Sequence, residues 1–224
     1  MCPGTNRVHF AAVALSEMAP QVREERVLRI HNEISECRVC ESRVPGFEKP
    51  ALLDRGDFGR VVIVGQGPGR SELKISRAFA GQSGRTLEQW LVACGANPAS
   101  PRAGIYFTSV IKCVCPSAGY FPLMARNCRA FLHRQIAELR PELVITLGRQ
   151  SYEALQVSDE EFDDALCVLR NTSDFVLVTP YGFHVNLLHW PHPSGRNRWR
   201  NEEGNQTRLQ NSFEFVSPFL GGKK

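Results

Sequence analysis

The sequence predicts an α/β fold in which a parallel sheet is covered by helices on both faces. Short runs of β-branched and other apolar residues recur along the 224-residue chain. Amphipathic helical segments separate these runs, and this alternation is typical of parallel strands joined by crossover helices. Turns rich in glycine and proline mark where the runs end.

The first half of the chain contains two predicted helices and two predicted strands. Residues 21–36, "QVREERVLRIHNEISE", place apolar side chains at helical spacing. "FGRVVIVGQGPG" contains a buried strand, Val61–Val64, that ends in a glycine–proline loop. A helix follows in "SGRTLEQWLVACG", with Ser83 or Thr86 as the expected N-cap and Gly95 as the expected stop. "GIYFTSVIKC" is the second predicted strand.

The second half continues the alternation. "LMARNCRAFLHRQIAEL" is a long helix, "PELVITLG" a third strand, and "RQSYEAL" a further helix. "DFVLVTP" and "FHVNLLHWPHP" are the last two predicted strands, and residues 202–216 form a final helix. The acidic run "SDEEFDDAL" is expected to be a solvated surface insert.

Composition narrows the class of protein. The hydrophobic share of 42% and the charged share of 22% are ordinary for a soluble globular domain, and no apolar run approaches the ~20 residues of a membrane span. The net charge of +4 is compatible with a nucleic-acid partner. The early apolar patch "FAAVAL" is too short for an export signal. We therefore expect a flexible segment over residues 1–20, a single domain over 21–224, and a cytoplasmic monomer.

Eight cysteines suggest a metal or redox centre, because disulfides are not expected in an intracellular chain. Cys37 and Cys40 form a C-x-x-C pair, and Cys113 and Cys128 follow with fourteen residues between them. Four thiolates from two distant segments suit either a tetrahedral zinc or a [4Fe–4S] cluster. Cys115 could replace Cys113 as a ligand. The cysteines within apolar runs are expected to be core thiols: Cys94 and Cys167.

Two loops after predicted strands stand out. "GQGPGRSE" departs from the dinucleotide pattern G-x-G-x-x-G, because Pro68 follows the second glycine and Arg70 takes the place of the third. In "HWPHPSGRNRW", Pro191 and Pro193 stiffen the chain around His192, within a basic loop. Since ligands of open parallel sheets bind at the carboxyl ends of strands, these loops and "TSVIKC" could converge on one rim.

The motifs also match the ordered patterns of a known family. "GQGPGRSELKISRAFAGQSGRTL" follows G-E-x-P-G-x-x-E and P-F-V-G-x-x-G without a gap, and "YFTSVIKCVCP" follows Y-x-T-N-x-V-K-C-R-P-P. "CRAFLHRQIAELRPELVITLG" corresponds to the next segment, and "HPS" at 192–194 to the last. Over residues 37 to about 197 the chain resembles the uracil-DNA glycosylase superfamily, specifically its iron–sulfur branch.

The resemblance implies a fold, a reaction and a cofactor. The fold would be a three-layer α/β/α sandwich around a four-stranded parallel sheet. The reaction would be hydrolysis of the N-glycosidic bond of uracil or another deaminated base in DNA, which leaves an abasic site for base excision repair. A [4Fe–4S] cluster would be held by four cysteines: Cys37, Cys40, Cys113 and Cys128. The partner would be DNA containing a damaged base, which implies an association with the nucleoid.

The resemblance also assigns roles at the reacting base. Phe79 would stack on the flipped-out base, and His192 would donate a hydrogen bond to a base carbonyl as negative charge develops there. Gln66 stands where the family usually has Glu, and Gly67 where the most active members have Asp. With no carboxylate at either position, their backbone groups would position the water, and slow chemistry is expected. Glu72 is expected to brace the loop.

Two further groups of residues complete the prediction. Ser109 replaces the Asn that reads the uracil edge in the family, which predicts broader base specificity. The DNA-binding residues are expected in the basic loop: Ser194, Arg196, Asn197 and Arg198. His184 and His189 are expected to be structural. Two alternatives stay open: a catalytically weak, inactive or covalently trapping nucleic-acid binder of the same fold, and an iron–sulfur redox protein.

Overall fold

The computed structural model describes residues 20–48, 56–155, 162–172 and 183–221. The α-helices are α1 (Pro20–Glu36), α2 (Arg70–Ile75), α3 (Gln82–Ala93), α4 (Phe121–Leu139), α5 (Arg149–Leu155), α6 (Phe162–Ala165) and α7 (Asn205–Leu220). The strands are β1 (Val61–Gly65), β2 (Ile105–Ser109), β3 (Leu143–Leu147), β4 (Arg170–Thr172) and β5 (Val185–Trp190). Short 3₁₀ helices span Ala118–Tyr120 and Arg198–Asn201.

The strands form one sheet in the order β2-β1-β3-β5-β4. β2, β1, β3 and β5 are parallel, and the three-residue β4 pairs with β5 in the antiparallel direction. The predicted four-stranded parallel sheet is confirmed, with a short antiparallel edge added. Because the four strands are parallel, their carboxyl ends lie along one edge of the sheet.

Alternating strand residues divide the core between the two faces of the sheet. Val62, Val64 and Val144 pack with the side of the molecule that carries α1 and α4. Val61 and Ile63 pack with the side that carries α3 and α7. Apolar residues point to both faces because each face is covered by helices, so the strands are fully buried and the sandwich has three layers.

Two predicted boundaries in the first half are wrong. α3 begins at Gln82, and its N-cap is Gly81 rather than Ser83 or Thr86. β2 ends at Ser109, although the apolar pattern continues to Cys113. Beyond Ser109 the Val110 and Ile111 amides donate to the carbonyls of Gly65 and Gln66, so the chain follows the loop after β1. The predicted stop at Gly95 is confirmed by its left-handed φ of +99°.

The second half contains one further correction. The predicted strand "DFVLVTP", residues 174–180, lies outside the described residues, as do residues 1–19. The acidic run is only partly described, and its end is not a solvated insert, because Ala165 and Leu166 are fully buried. Ala165 at the end of α6 and Leu166 after it pack against Tyr152 and continue the core. Within the described ranges, none of the helices has the length and apolarity of a membrane span.

Candidate functional site

A cavity of about 270 Å³ lies at the carboxyl ends of the parallel strands. Its lining includes all the residues predicted to act on the base: Gln66, Gly67, Phe79, Ser109 and His192. They come from the loop after β1, from the last residue of β2, from the loop after β5 and from the turn before α3. The convergence of the three loops is therefore as the sequence predicted.

The Phe79 ring covers the end of β1. A methyl group built on Gly65 would lie 2.6 Å from the ring, so only glycine allows this contact. Phe79 itself has a left-handed φ of +53°, which is strained for an aromatic residue. Its ring meets Phe107 edge-on, at 6.0 Å between centroids. The ring is thus a fixed apolar surface within the cavity.

Glu72 braces the loop that carries Phe79, as expected. One carboxylate oxygen accepts hydrogen bonds from the Gly69 amide at 3.1 Å and from the Ser71 hydroxyl at 3.0 Å. The other accepts from the Ala80 amide at 3.2 Å. The carboxylate therefore joins both ends of the segment 69–80.

Backbone contacts fix the His192 imidazole. The Ser194 amide donates to Nδ1 at 3.2 Å, and the Asn197 side-chain amide donates to the His192 carbonyl at 3.1 Å. Because Nδ1 is an acceptor, the proton of the neutral ring lies on Nε2. Gly148, with φ +83°, lies so close that an added methyl group would stand 3.2 Å from the His192 Cβ. Burial lowers the His192 pKa from its usual 6.5, which favours the neutral ring.

The first-motif loop has little room for a longer side chain at position 67. A Cβ on Gly67 would lie 2.4 Å from the Ile111 side chain. Ile111 is buried, so it occupies the space that a carboxylate at position 67 would need. This contact gives a structural reason why glycine stands there.

Ser109 has a restricted hydroxyl. Its Oγ donates to the Ile111 carbonyl at 2.7 Å, so the hydroxyl proton is engaged within the loop. Only the oxygen lone pairs remain to face a ligand. Ser109 can therefore accept a hydrogen bond from a base but does not donate one in this conformation.

The residues of the basic loop after His192 have two different structural roles. Arg196 and Arg198 are exposed. Both ends of the Asn197 side chain are engaged, since its amide group holds the His192 carbonyl and its oxygen accepts from the Trp199 amide at 3.1 Å. Ser194 likewise supports the imidazole through its backbone. Asn197 and Ser194 are thus placed to shape the loop, and the arginines to meet a partner.

The four cysteines predicted as cluster ligands lie close enough to affect one another. Burial, together with the charges of Cys128, Cys40 and Cys37, raises the pKa of the Cys113 thiol to about 12. Among the described residues, no group of three or more His, Cys, Asp or Glu side chains is arranged to hold a single metal ion. Cys115 donates its thiol hydrogen to the Ser117 carbonyl at 2.9 Å.

Comparison with known proteins decides the family. The model of the uracil DNA glycosylase superfamily matches residues 55–215. This chain belongs to that superfamily.

Several glycosylases have similar sequences. A type-4 uracil-DNA glycosylase of Archaeoglobus fulgidus is 31% identical over 74% of this chain and 80% of its own length. One from Saccharolobus solfataricus is 28% identical over 74% of each chain. One from Pyrobaculum aerophilum is 32% identical over 57% of this chain and 63% of its own length.

This superfamily member has a buried polar network beside the cavity that the sequence analysis missed. Lys112 Nζ donates to Thr108 Oγ1 at 2.7 Å and to Gln135 Oε1 at 2.8 Å, and Gln135 Nε2 donates to Tyr106 Oη at 2.8 Å. Tyr106 in turn is hydrogen-bonded to His31 of α1. Burial lowers the Lys112 pKa to about 7, and the nearby Cys128 and Cys113 thiols oppose that shift.

Few features of the sequence pointed to the residues of this buried network. Lys112 and Tyr106 stand in a matched motif but suggested no contact. His31 and Gln135 each lie in the middle of an amphipathic helix, where a polar residue is usually solvated. Their burial depends on the packing of α1 and α4 against the sheet, which periodicity alone does not reveal.

Proposed function

We propose that this protein is a DNA glycosylase of base excision repair that hydrolyses the N-glycosidic bond of uracil or another deaminated base. The observation that carries the proposal is the convergence of Phe79, Ser109 and a neutral, fixed His192 on one cavity. The type-4 uracil-DNA glycosylases among its relatives support the same activity.

The reaction would begin with a base flipped out of the DNA stack, because the glycosidic bond is inaccessible within a duplex. The base would enter the cavity and stack on Phe79. As the bond breaks, negative charge grows on the base, and Nε2–H of His192 would donate a hydrogen bond to its carbonyl oxygen. Because the Ser194 amide occupies Nδ1, the proton is on the nitrogen that is free to make this contact.

Water would attack the sugar from the side of Gln66 and Gly67. Neither residue carries a carboxylate, and Ile111 fills the space beside Gly67. Backbone groups of the loop would therefore orient the water without acting as a strong base. We expect a slow chemical step for this reason.

Ser109 would accept a hydrogen bond from the edge of the base. Uracil and hypoxanthine both present an N–H next to a carbonyl, so each can donate to the Ser109 oxygen. The serine side chain is also shorter than the Asn of the family, so it leaves more space for a two-ring base. The site is therefore compatible with a deaminated pyrimidine and with a deaminated purine.

A [4Fe–4S] cluster would be held by Cys37, Cys40, Cys113 and Cys128. The donor set fits the group, because buried thiols with raised pKa values need a strongly cationic partner to become thiolates. The Asn127 side-chain amide donates to the Cys40 sulfur at 3.3 Å, a contact that suits a coordinated thiolate. When bound, the cluster would tie α1 and the segment after it to α4 as a structural element.

The proposed substrate is DNA with a damaged base, held through Arg196 and Arg198 by its phosphates. We propose that the protein acts as a monomer and is associated with the nucleoid. The basic loop is continuous with the cavity through His192, so phosphate contacts would position the lesion at the site.

Oligonucleotides carrying uracil, hypoxanthine, xanthine or ethenocytosine test the proposal. After incubation, alkaline cleavage should cut the strand at uracil, at hypoxanthine or at both, and an undamaged oligonucleotide should stay intact. Intact strands in every case would contradict the proposal.

A second function, a non-catalytic or covalently trapping binder, is favoured by one observation: neither Gln66 nor Gly67 carries a carboxylate. Binding of uracil-containing DNA without cleavage, or a DNA–protein adduct that survives denaturing electrophoresis, would favour it over turnover.

A further inference from the structure

The strained backbone of Phe79 is held on both sides. Its left-handed φ of +53° is unfavourable for an aromatic residue, and such a conformation persists where the surrounding structure fixes it. After Phe79, the Ala80 amide donates to the Glu72 carboxylate. The Phe79 carbonyl lies against α3, since a methyl group built on Gly84 would lie 1.7 Å from its oxygen. The peptide before Phe79 is held by a different residue, through the Ala78 carbonyl.

Arg102, in the turn before β2, is the residue that contacts this carbonyl. Its Nη1 donates to the Ala78 carbonyl oxygen at 2.9 Å. The same guanidinium lies over the Phe107 ring, with 4.1 Å between Cζ and the ring centroid. Phe107 is buried and meets Phe79 edge-on, at 6.0 Å between ring centroids. Arg102 therefore holds the peptide that precedes Phe79 and supports the Phe79 ring through Phe107.

The position of Arg102 is itself fixed. Its side chain is 11% exposed, and Nη1 lies 3.9 Å from the Glu88 carboxylate of α3. The Arg102 carbonyl accepts a hydrogen bond from the Ile105 amide at 3.2 Å, which closes the turn onto the first residue of β2. A guanidinium is planar, so its face can lie on an aromatic ring while its N–H groups point outward in the plane. Arg102 thus makes the ring contact and the carbonyl contact at the same time.

We propose that Arg102 is a positioning residue that holds the Phe79 ring in the orientation in which it stacks on the flipped-out base. This inference rests on the proposed function. Of the described residues, Ala78, Phe79 and Phe107 line the cavity, and Arg102 lies behind them. Arg102 therefore acts on the base through its neighbours. A ring that is fixed before the base arrives loses little freedom on binding, so more of the stacking energy appears as affinity.

A double-mutant cycle tests whether Arg102 acts through the Phe79 ring. The variants are Arg102→Gln, Phe79→Ala and the two combined. The measurement is the affinity for a single-stranded oligonucleotide that carries 2′-fluoro-2′-deoxyuridine, in which fluorine disfavours positive charge on the sugar and so keeps the base attached. Phe79→Ala should weaken binding by roughly 10-fold, the size of one lost base–aromatic stack. Arg102→Gln should weaken it by roughly 5-fold, because the ring remains but is no longer fixed.

The combined variant should bind no more weakly than Phe79→Ala alone, because a ring that is absent cannot be positioned. A loss equal to the product of the two single effects, roughly 50-fold, would overturn the proposal, since Arg102 would then support only the fold. An affinity that is unchanged in Arg102→Gln or in Phe79→Ala would overturn it as well. Melting temperatures of all variants show how much of each loss comes from unfolding.

Arg77→Gln is the matched control. Arg77 Nη2 donates to the same Glu88 carboxylate at 2.9 Å, and its side chain is 50% exposed. The effect of Arg77→Gln, whatever its size, should multiply with that of Phe79→Ala, because Arg102 makes the contacts that support the ring. Coupling between Arg77→Gln and Phe79→Ala as strong as that of Arg102→Gln would contradict the proposal.

Arg102→Lys gives the same test if Arg102→Gln does not fold. Lysine keeps the charge beside Glu88 and a donor for the Ala78 carbonyl, but an ammonium group has no flat face to lie on a ring. Arg102→Lys should therefore lose part of the affinity, and this loss should disappear when Phe79→Ala is also present. A loss that persists would overturn the proposal. If wild-type protein releases no base from DNA with unmodified uracil, the proposed function fails, and the affinities still decide the role of Arg102.

Discussion

At the scale of single residues, the site depends on how neighbours hold His192 and Ser109. The two prolines beside His192 suggested a rigid imidazole, and the structure adds that the Ser194 amide selects its tautomer. The constraint on Ser109 comes from the Ile111 carbonyl, two residues later. Such contacts depend on the conformation of a loop, and the sequence alone does not specify them.

The protonation state of His192 predicts the pH dependence of the reaction. Burial lowers the pKa of His192 from its usual 6.5, so the neutral ring predominates in the folded protein above pH 6.5. Single-turnover cleavage should therefore not become faster as the pH falls from 8 to 6.5. A rate that rises as the pH falls through this interval would indicate that the imidazolium is the donor.

The lowered pKa of His192 also predicts how the stability of the fold depends on pH. Below pH 6.5 the unfolded chain takes up a proton on this histidine before the folded chain does. His192 should therefore contribute to a loss of stability as the pH falls. Thermal denaturation of wild type and His192→Gln between pH 5 and pH 8 measures this, and melting temperatures that differ by a constant amount would contradict it.

Ser109 predicts the breadth of base recognition. Ser109→Asn should increase the preference for uracil over hypoxanthine, because the longer amide side chain leaves less space for a two-ring purine than the serine hydroxyl does. Ser109→Ala, which removes the accepting oxygen, is the control and should slow release of both bases. The measurement is the ratio of single-turnover rates on the two substrates. A wild-type ratio equal to that of Ser109→Asn would disprove the idea.

At the scale of elements, the periodicity of apolar residues predicted the strands and the long helices. It did not predict where β2 ends and where α3 begins, beside the cavity. β2 stops at Ser109 although the predicted strand continues to Cys113, because the Val110 and Ile111 amides bond to the end of β1 and the loop after it. α3 begins at a glycine cap where side-chain caps were available nearby. A tertiary contact decided the end of β2, and residues at both boundaries line the cavity.

The loop of residues 194–200 predicts an electrostatic contact with DNA. Arg196→Ala combined with Arg198→Ala should weaken binding and reduce the slope of log affinity against log salt by about one to two. Both side chains are exposed, so the fold should be unaffected. Titrations of a labelled oligonucleotide at several salt concentrations measure the slope, and an unchanged slope would place the DNA elsewhere.

At the scale of the whole molecule, the three-layer sandwich and the family were predictable because strands, helices and four ordered motifs agree along most of the chain. The buried network from Lys112 to His31 was not predictable, because it joins residues from α1, β2 and α4 that only the complete fold brings together. It also connects the cavity with the segment that carries Cys113.

The proposed cluster predicts the behaviour of the purified protein. It should be brown, absorb near 400 nm and contain about four irons per chain. Cys37→Ala or Cys128→Ala should reduce solubility or DNA binding, whereas Cys94→Ala, at a buried thiol elsewhere in the core, should keep the iron. Metal analysis that finds one zinc and no iron would contradict the assignment.

The most direct test of the central claim is the release of free base under single-turnover conditions, measured by mass spectrometry for wild type and His192→Ala. We expect wild type to release uracil from DNA and leave an abasic strand. His192→Ala should still bind the DNA but release the base roughly 10²-fold more slowly, the effect of losing one donor to a developing oxyanion. Equal rates for the two proteins, or no free base from wild type, would contradict the account.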